Sequence, residues 1–550
     1  MSFKDKVIYQ IYPKSFYDSN NDGVGDLRGI IEKVPYLSKL NIDMIWFSPF
    51  FVSPQYDSGY DIADYYKIDP IFGTMADFDE LVKTLKKHNI GVMLDMVLNH
   101  TSTEHEWFQK ALTGDKNYQD FYYIRDPKPN GDLPTNWESK FGGSAWAKFG
   151  DTGKYYLHLY EKRQADLNWH NPDVRKELYK VVNFWYDRGV ENFRFDVINV
   201  TGKDKELVDY TPGTNPKLIY TDTPIVQDYL KELNHATFGK NPESVTVGEM
   251  STTSIKNSIE YTRPENHELS MVFTFHHLKV DYDHGQKWTK TPFDFKLLKK
   301  ILNDWQLGMS EGGGWNALFW NNHDQPWAIN RFGDPIHFRN KSAEMLATTI
   351  HLLRGTPYIY QGEEIGMTDP DYQSIEEYVD VETLNAYQQL IANGKTADEA
   401  FAIIKSKSRD NSRTPMQWDN TKYAGFSQST PWLKPTTQKE INVAKELSEG
   451  EIFSYYQKLI SLRKKLRIIS EGSYEPFIME HESVFGYVRK LNSQTLLVLN
   501  NFYGKETHVK VPSEYLTQDF SVIINNYSEK INLTSDVELK PYQSVAFLIS

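Results

Sequence analysis

Three acidic residues stand at the ends of short apolar segments. Asp196 closes Phe193-Arg194-Phe195-Asp196, Glu249 closes Val245-Thr246-Val247-Gly248-Glu249, and Asp324 follows Phe319-Trp320-Asn321-Asn322-His323. Two of them have a basic neighbour, Arg194 and His323. If the segments are strands of one parallel barrel, their carboxyl ends converge on the face where such folds keep their active sites. One acid of this kind is usually a surface or salt-bridged group, but three at equivalent ends point to shared chemistry. The chemistry that uses such a set is glycoside hydrolysis: one carboxylate attacks the anomeric carbon and a second, protonated, donates to the leaving oxygen. An adjacent Arg keeps the attacking carboxylate ionised, whereas the acid needs a raised pKa from burial or a neighbouring carboxylate. In a retaining enzyme the two carboxyls stand roughly 5 Å apart.

A second constellation lies near the N-terminus. Asp18-Ser19-Asn20-Asn21-Asp22-Gly23-Val24-Gly25-Asp26 sets oxygen ligands at alternate positions. That is calcium-loop spacing, with side chains from Asp18, Asn20, Asp22 and Asp26 and the carbonyl of Val24. The bidentate Glu of an EF-hand is missing, and the alternative is an Asx-rich turn without metal.

The elements that must position these residues alternate. Segments 42–50, 91–98, 191–197, 244–247, 315–320 and 356–360 are apolar and of strand length, and 77–89, 174–188 and 342–354 carry helical periodicity. Phe78, Leu81, Val82 and Leu85 share one face, and Asp77 with Glu80 fits a capping box. Alternating β and α elements favour a parallel sheet, here a (β/α)₈ barrel over 1–100 and 170–470. Gly-, Pro- and aromatic-rich residues 101–169 read as a domain inserted after the third strand, and 369–407 as a helical insertion after the eighth. Short strands over 471–550 read as a C-terminal all-β sandwich.

With 550 residues and a formal charge of −13, the chain is a poor partner for nucleic acid or an anionic membrane, and no obligate protein partner is evident. No apolar run approaches the roughly 18 residues of a membrane helix, Met1 to Lys6 carry no signal pattern, and cysteine is absent. These features predict a cytoplasmic protein without disulfides.

The motifs Asp95-Met96-Val97-Leu98-Asn99-His100, Phe193-Arg194-Phe195-Asp196, Val247-Gly248-Glu249 and Asn322-His323-Asp324, with Gln164-Ala165-Asp166-Leu167-Asn168 between the first two, resemble in order the five motifs of the α-amylase family of glycoside hydrolases. The resemblance implies Asp196 as nucleophile, Glu249 as acid/base, and Asp324 as the holder of the 2- and 3-hydroxyls of the cleaved glucose. It further implies that Arg194 orients Asp196, that His100 and His323 bond sugar hydroxyls, and that Asp61 grips the 4-hydroxyl with Arg413 nearby. Tyr160 and Gln164 would line the same pocket. In related α-glucosidases the loop from Asp18 to Asp26 binds Ca²⁺ or Mg²⁺ in a structural role; no organic cofactor is implied.

Within the family, Asp61-Ile62-Ala63-Asp64-Tyr65, the segment 407–418 and Val197 after the nucleophile are similar to the oligo-1,6-glucosidase group, whose members cleave α-1,6 or α-1,1 bonds. Segments 135–143, 164–166, 248–251 and 274–282 resemble its phospho-α-(1,1)-glucosidase branch, which takes a small phosphorylated disaccharide, trehalose 6-phosphate. A phosphate needs Lys or Arg beyond the cleaved glucose. Lys279 and Lys287, then Lys203 and Lys290, are the candidates, although surface lysines are common. Trp327 stands where the family usually has Arg, and is expected to place an apolar face at the outer pocket; Arg331 is retained. The competing readings are an isomaltose-cleaving oligo-1,6-glucosidase, a sugar isomerase (whose Arg-Leu-Asp-Arg-Asp segment is absent) and a non-catalytic, transporter-associated homologue.

Overall fold

The computed structural model describes residues 3–516 and 519–550; Met1, Ser2, Thr517 and Gln518 lie outside the described residues. Eight parallel strands form the central sheet: β1 (Ile8–Ile11), β2 (Met44–Phe47), β3 (Gly91–Met96), β4 (Asn192–Phe195), β5 (Thr246–Glu249), β6 (Met271–Phe273), β7 (Ala317–Leu318) and β8 (Thr356–Tyr360). The sheet runs β6-β5-β4-β3-β2-β1-β8-β7. A parallel bridge from Val272 to Asn316 joins β6 to the residue before β7 and closes the barrel. β1, β2, β4, β5 and β8 are buried along their whole length, as strands covered on both faces must be.

Helices α1 (Leu27–Leu40), α2 (Met75–Lys87), α3 (Pro172–Tyr186), α4 (Ile225–Ala236), α5 (Ile255–Thr262), α6 (Phe295–Glu311), α7 (Arg339–His351) and α8 (Ile452–Lys465) follow the strands in turn. α2 begins two residues before the periodic segment. Its capping box joins Thr74 to Asp77 rather than Asp77 to Glu80, because the β-branched hydroxyl at 74 takes the extended N-cap backbone that Asp77, already inside the helix, cannot. β1 and β6 were not singled out in the sequence: four and three residues are too few for a period to show.

The excursion between β3 and α3 is anchored by an antiparallel pair, His100–Ser102 with Gln164–Asp166, and carries a three-stranded antiparallel sheet of Ile124–Arg125, Tyr155–Leu157 and Trp146–Lys148. The insertion after β8 holds helices Val381–Ala392 and Ala397–Lys407. At the C-terminal end, β9 (Ser473–Phe477), β10 (Val484–Leu491), β11 (Gln494–Asn501), β13 (Phe520–Asn525) and β15 (Ser544–Ile549) form an antiparallel sheet. A ribbon of β12 (Thr507–Lys510) and β14 (Asp536–Leu539) closes a second core around Val488, Leu497, Val509, Val537 and Phe547. Buried Arg489 on β10 donates to the carbonyls of Leu352, Ile469, Gly472 and Ser473, locking this sheet to the barrel. No helix among the described residues is long and apolar enough to cross a membrane.

Candidate active site

Asp196 and Glu249 meet on one guanidinium. Arg194, fully buried on β4, donates through Nη1 to Asp196 Oδ1 and Asp95 Oδ1, both at 2.7 Å, and through Nη2 to Glu249 Oε2. Because β4 pairs in parallel with β3 and β5, Arg194 lies beside Asp95 and Val247, and the strand ends carry the two carboxylates toward each other. Two carboxylates held on neighbouring nitrogens of one guanidinium can face a single glycosidic bond. Asp95 also accepts from Trp46 Nε1 and the Tyr60 hydroxyl. Burial pushes its carboxyl upward, and Asp196 adds to that push, against the pull of Arg194. Past Asp196 the chain turns sharply: Val197 sits at φ 37° and ψ 38°, left-handed for a β-branched side chain, a strain of the kind that collects at functional sites.

Asp324 faces the same space with a different electrostatic setting. Arg413 Nη2 and Arg409 Nη1 reach its Oδ1 at 2.8 and 3.3 Å, and His323 Nε2 lies 3.4 Å from Oδ2. Burial alone would raise this carboxyl, but the charges of Arg409 and Arg413, with the His323 ring beside them, outweigh it and hold it well below the usual range. Arg409 continues the network to Asp57 Oδ1 at 3.0 Å and Asp380 Oδ1 at 2.5 Å. Gln164 Nε2 donates to the other Asp57 oxygen at 3.0 Å. Asp57, and not Asp61, is the aspartate that bonds Arg409 and Gln164. Asp61 is fully buried, accepting from Ser53 Oγ and from the backbone N–H groups of Tyr56 and Asp57. It shapes the loop that presents Asp57. Neither Asp57 nor Arg409 was singled out in the sequence. Two aspartates four residues apart are indistinguishable until the turn is built, and Arg409 gains its meaning only from partners distant in sequence, Asp57 lying 352 residues away.

The walls come from aromatic and imidazole rings. His323 stacks between Tyr60 and Tyr12, at centroid distances of 5.1 and 5.7 Å. Gln10 Nε2 also bonds Ser48 and so donates to His323 Nδ1, which puts the ring proton on Nε2, toward Asp324. Burial pushes this ring down to about 3, so it acts as a neutral donor. His100 is turned inward, with Nε2 on the Tyr60 carbonyl and Nδ1 on Asn99, and its ring 5.5 Å from that of Tyr160.

Residues 10–472 match the model of the α-amylase catalytic domain, and residues 484–546 that of the C-terminal domain of the α-amylase SusG. The chain belongs to the α-amylase family. It is 48% identical to a trehalose-6-phosphate hydrolase of Bacillus subtilis, over 100% of this chain and 98% of that one. It is 44% identical to an oligo-1,6-glucosidase of Parageobacillus thermoglucosidasius, over 100% and 99% of the two chains. The crystal structure of the trehalose-6-phosphate hydrolase of Bacillus licheniformis superposes with a TM-score of 0.95 at 50% identity, covering all of both chains.

Against this family background the four candidate phosphate lysines separate. Lys203 is fully buried, with Nζ on Asp166 Oδ2 at 2.7 Å, Asn99 Oδ1 at 2.9 Å and the Val200 carbonyl at 2.7 Å. It is a structural strut between β4 and the inserted domain, not a ligand group. Lys290 is exposed and lines a cavity of about 510 Å³ with Asp281, Phe293, Arg331 and Lys407. Lys287 pairs with Glu382 at 2.7 Å. Lys279 is half-buried, and burial followed by repulsion from Lys217 pushes it down to about 8. Trp327, where the family usually has Arg, does not face the outer pocket. Its ring is buried against Tyr360 and its Nε1 donates to the Asn411 carbonyl at 3.0 Å, so the indole packs behind the arginine turn. Arg331 forks onto Asp281.

In the loop from Asp18 to Asp26, buried Asp18 accepts from the N–H groups of Asn20, Asn21 and Gly23. Buried Asp26 accepts from Ser19 and, as N-cap of α1, from Gly29. Asn20 and Asp22 bond each other, and Val24 N–H donates to Asp22. No three His, Cys, Asp or Glu side chains among the described residues converge as a metal-binding group, so any ion here would also need the Asn20 amide and the Val24 carbonyl. Two buried carboxylates met by neutral donors, with amide and carbonyl oxygens beside them, fit a hard cation such as Ca²⁺ or Mg²⁺ rather than a thiophilic metal.

Proposed function

We propose that the protein hydrolyses trehalose 6-phosphate to glucose and glucose 6-phosphate with retention of configuration. Asp196 attacks C1 of the unphosphorylated glucose while Glu249 passes a proton to the bridging oxygen. Water deprotonated by Glu249 then opens the glycosyl-enzyme. Arg194 orients Asp196 and holds Glu249 through one oxygen, leaving the other for the proton. Asp324, set by Arg413 and Arg409, takes the 2- and 3-hydroxyls, with the Nε2 proton of His323 beside it. Asp57, gripped by Arg409 and Gln164, closes the far end around the 4-hydroxyl, so only a terminal glucose fits. Tyr60 and Tyr160 supply apolar faces to the ring.

The observation that carries the substrate assignment is similarity over the full chain, at 48% and 50% identity, to trehalose-6-phosphate hydrolases; half-buried Lys279, pushed down by burial and then by Lys217, is in keeping with an anionic ligand. Such a group is stabilised by an arriving anion. The substrate for which relatives near half identity are named supports the same reading. A second reading, an oligo-1,6-glucosidase acting on isomaltose, draws on the 44% relative and on Glu382, which ties up Lys287 at the same rim. Rates on trehalose 6-phosphate, trehalose and isomaltose, measured side by side, separate the two: a preference for isomaltose would overturn the assignment. A phosphorylated disaccharide does not cross membranes unaided, which supports a cytoplasmic site of action. The loop from Asp18 to Asp26 is read as a structural Ca²⁺ or Mg²⁺ site that takes no part in the reaction.

A further inference from the structure

The geometry points to Lys140 and Lys217 as partners of Lys279 in holding the phosphoryl group, Lys140 from the inserted domain and Lys217 from the β4–α4 connection. This rests on the reading of the substrate given above. Lys140 Nζ bonds the Tyr160 hydroxyl at 3.0 Å and the Ser251 hydroxyl. Ser251 lies two residues beyond Glu249, and the Tyr160 ring lies 5.5 Å from that of His100, so Lys140 borders the sugar pocket. An ammonium has three N–H donors; two are engaged, and the third remains for a ligand.

Lys217 sits in the short turn Pro216–Ile219, within a connection pinned to the inserted domain by Lys128 on Asp209 at 2.7 Å, Asn136 N–H on Asp209 at 2.9 Å and Trp137 Nε1 on the Val208 carbonyl at 2.8 Å. The same connection carries the Tyr220 ring, three residues beyond Lys217, to 5.5 Å from Lys140 Nζ. Burial, then Lys217, Lys203 and Lys279, push Lys140 well below its ordinary value, opposed by Asp166. Burial likewise lowers Lys217, and the opposite charge acting on it, Glu382, is already paired with Lys287.

Lys203 shows how this protein treats a structural lysine, giving it a carboxylate at 2.7 Å. Lys140 is given two neutral hydroxyls instead. All three lysines are half-buried, reachable rather than sealed. Mutually repelling, desolvated ammonium groups become favourable when a dianionic phosphate neutralises them.

The test compares kcat/KM for trehalose 6-phosphate and for p-nitrophenyl α-glucoside in the wild type, Lys140→Met and Lys217→Met. The expected result is a fall of roughly 30-fold or more in the ratio of the two constants for Lys140→Met, mainly through KM, a smaller fall for Lys217→Met, and partial recovery in Lys140→Arg. Turnover of the aryl glucoside reports folding. A purely structural Lys140 would lower both constants together. That result, or a ratio within about threefold of wild type in both methionine variants, would overturn the inference while the substrate assignment stands. A wild type that does not favour trehalose 6-phosphate over trehalose and isomaltose would remove both.

Discussion

Asp196 and Glu249 carry opposite duties while sharing Arg194, so their removal separates the two steps of the reaction. Asp196→Asn should lower kcat by about 10⁴ on every substrate, because no covalent intermediate forms. Glu249→Gln should be as damaging on trehalose 6-phosphate but milder on an aryl glucoside, whose leaving group needs little protonation; equal losses on both would remove Glu249 from the acid role. Asp57→Asn should lower kcat/KM by roughly 100-fold with no loss in Tm, since burial already pushes its carboxyl up to about 7 and the ionised form is costly to keep. Wild-type kinetics for Asp57→Asn would return the pocket end to another group. At this scale the sequence was informative where chemistry and strand position coincide: Asp196, Glu249, Asp324, Arg194 and His323 all sit at or beside strand ends. It did not separate Asp57 from Asp61, where the decision lies in a turn. It was blind to burial, so Lys203, sealed on Asp166, stayed among the phosphate candidates, though ranked behind Lys279.

Strand and helix placement explains why those residues meet. The parallel register of β3, β4 and β5 aligns Asp95, Arg194 and Val247, and a one-residue slip in β4 would turn Arg194 to the other face. The barrel was legible from alternating strand-length and helical segments, but its shortest strands were not, and the start of α2 depended on a cap rather than on periodicity. Thr74 accepts from Asp77 N–H, and Asp77 accepts in return from Thr74 N–H. Thr74→Ala should therefore cost about 1 kcal/mol in denaturant unfolding, and no change would mean that the box carries no weight in α2. The loop from Asp18 to Asp26 is an element-scale question too. If it holds Ca²⁺ or Mg²⁺, EDTA should lower Tm by about 5 °C, reversibly on adding back the ion; an unchanged Tm would leave it an Asx-rich turn.

Across the whole molecule, the catalytic barrel is braced by polar groups placed between units. Glu344 on α7 is buried, and burial outweighs the pull of Lys341 to push it up to about 8. Lys341 meanwhile reaches Glu451, at the start of α8, and the carbonyl of Asn526, beyond β13. A carboxyl raised above its unfolded value binds its proton more tightly when folded. Its stabilising contribution is present at acid pH and is lost as pH rises through about 8. Tm should fall between pH 5 and 8, and Glu344→Gln should flatten that fall; an identical slope in the variant would place the titrating group elsewhere. None of this bracing was visible in the sequence, because Glu344 and Asn526 are joined only by the docking of the C-terminal sheet.

The proposed reaction needs two acids acting across one guanidinium upon a phosphorylated disaccharide. Proton NMR of trehalose 6-phosphate during the first turnovers tests this most directly. The α anomer of glucose should appear first, together with glucose 6-phosphate, and relax to the equilibrium mixture only later. Initial release of the β anomer, or no cleavage of this substrate, would contradict the account.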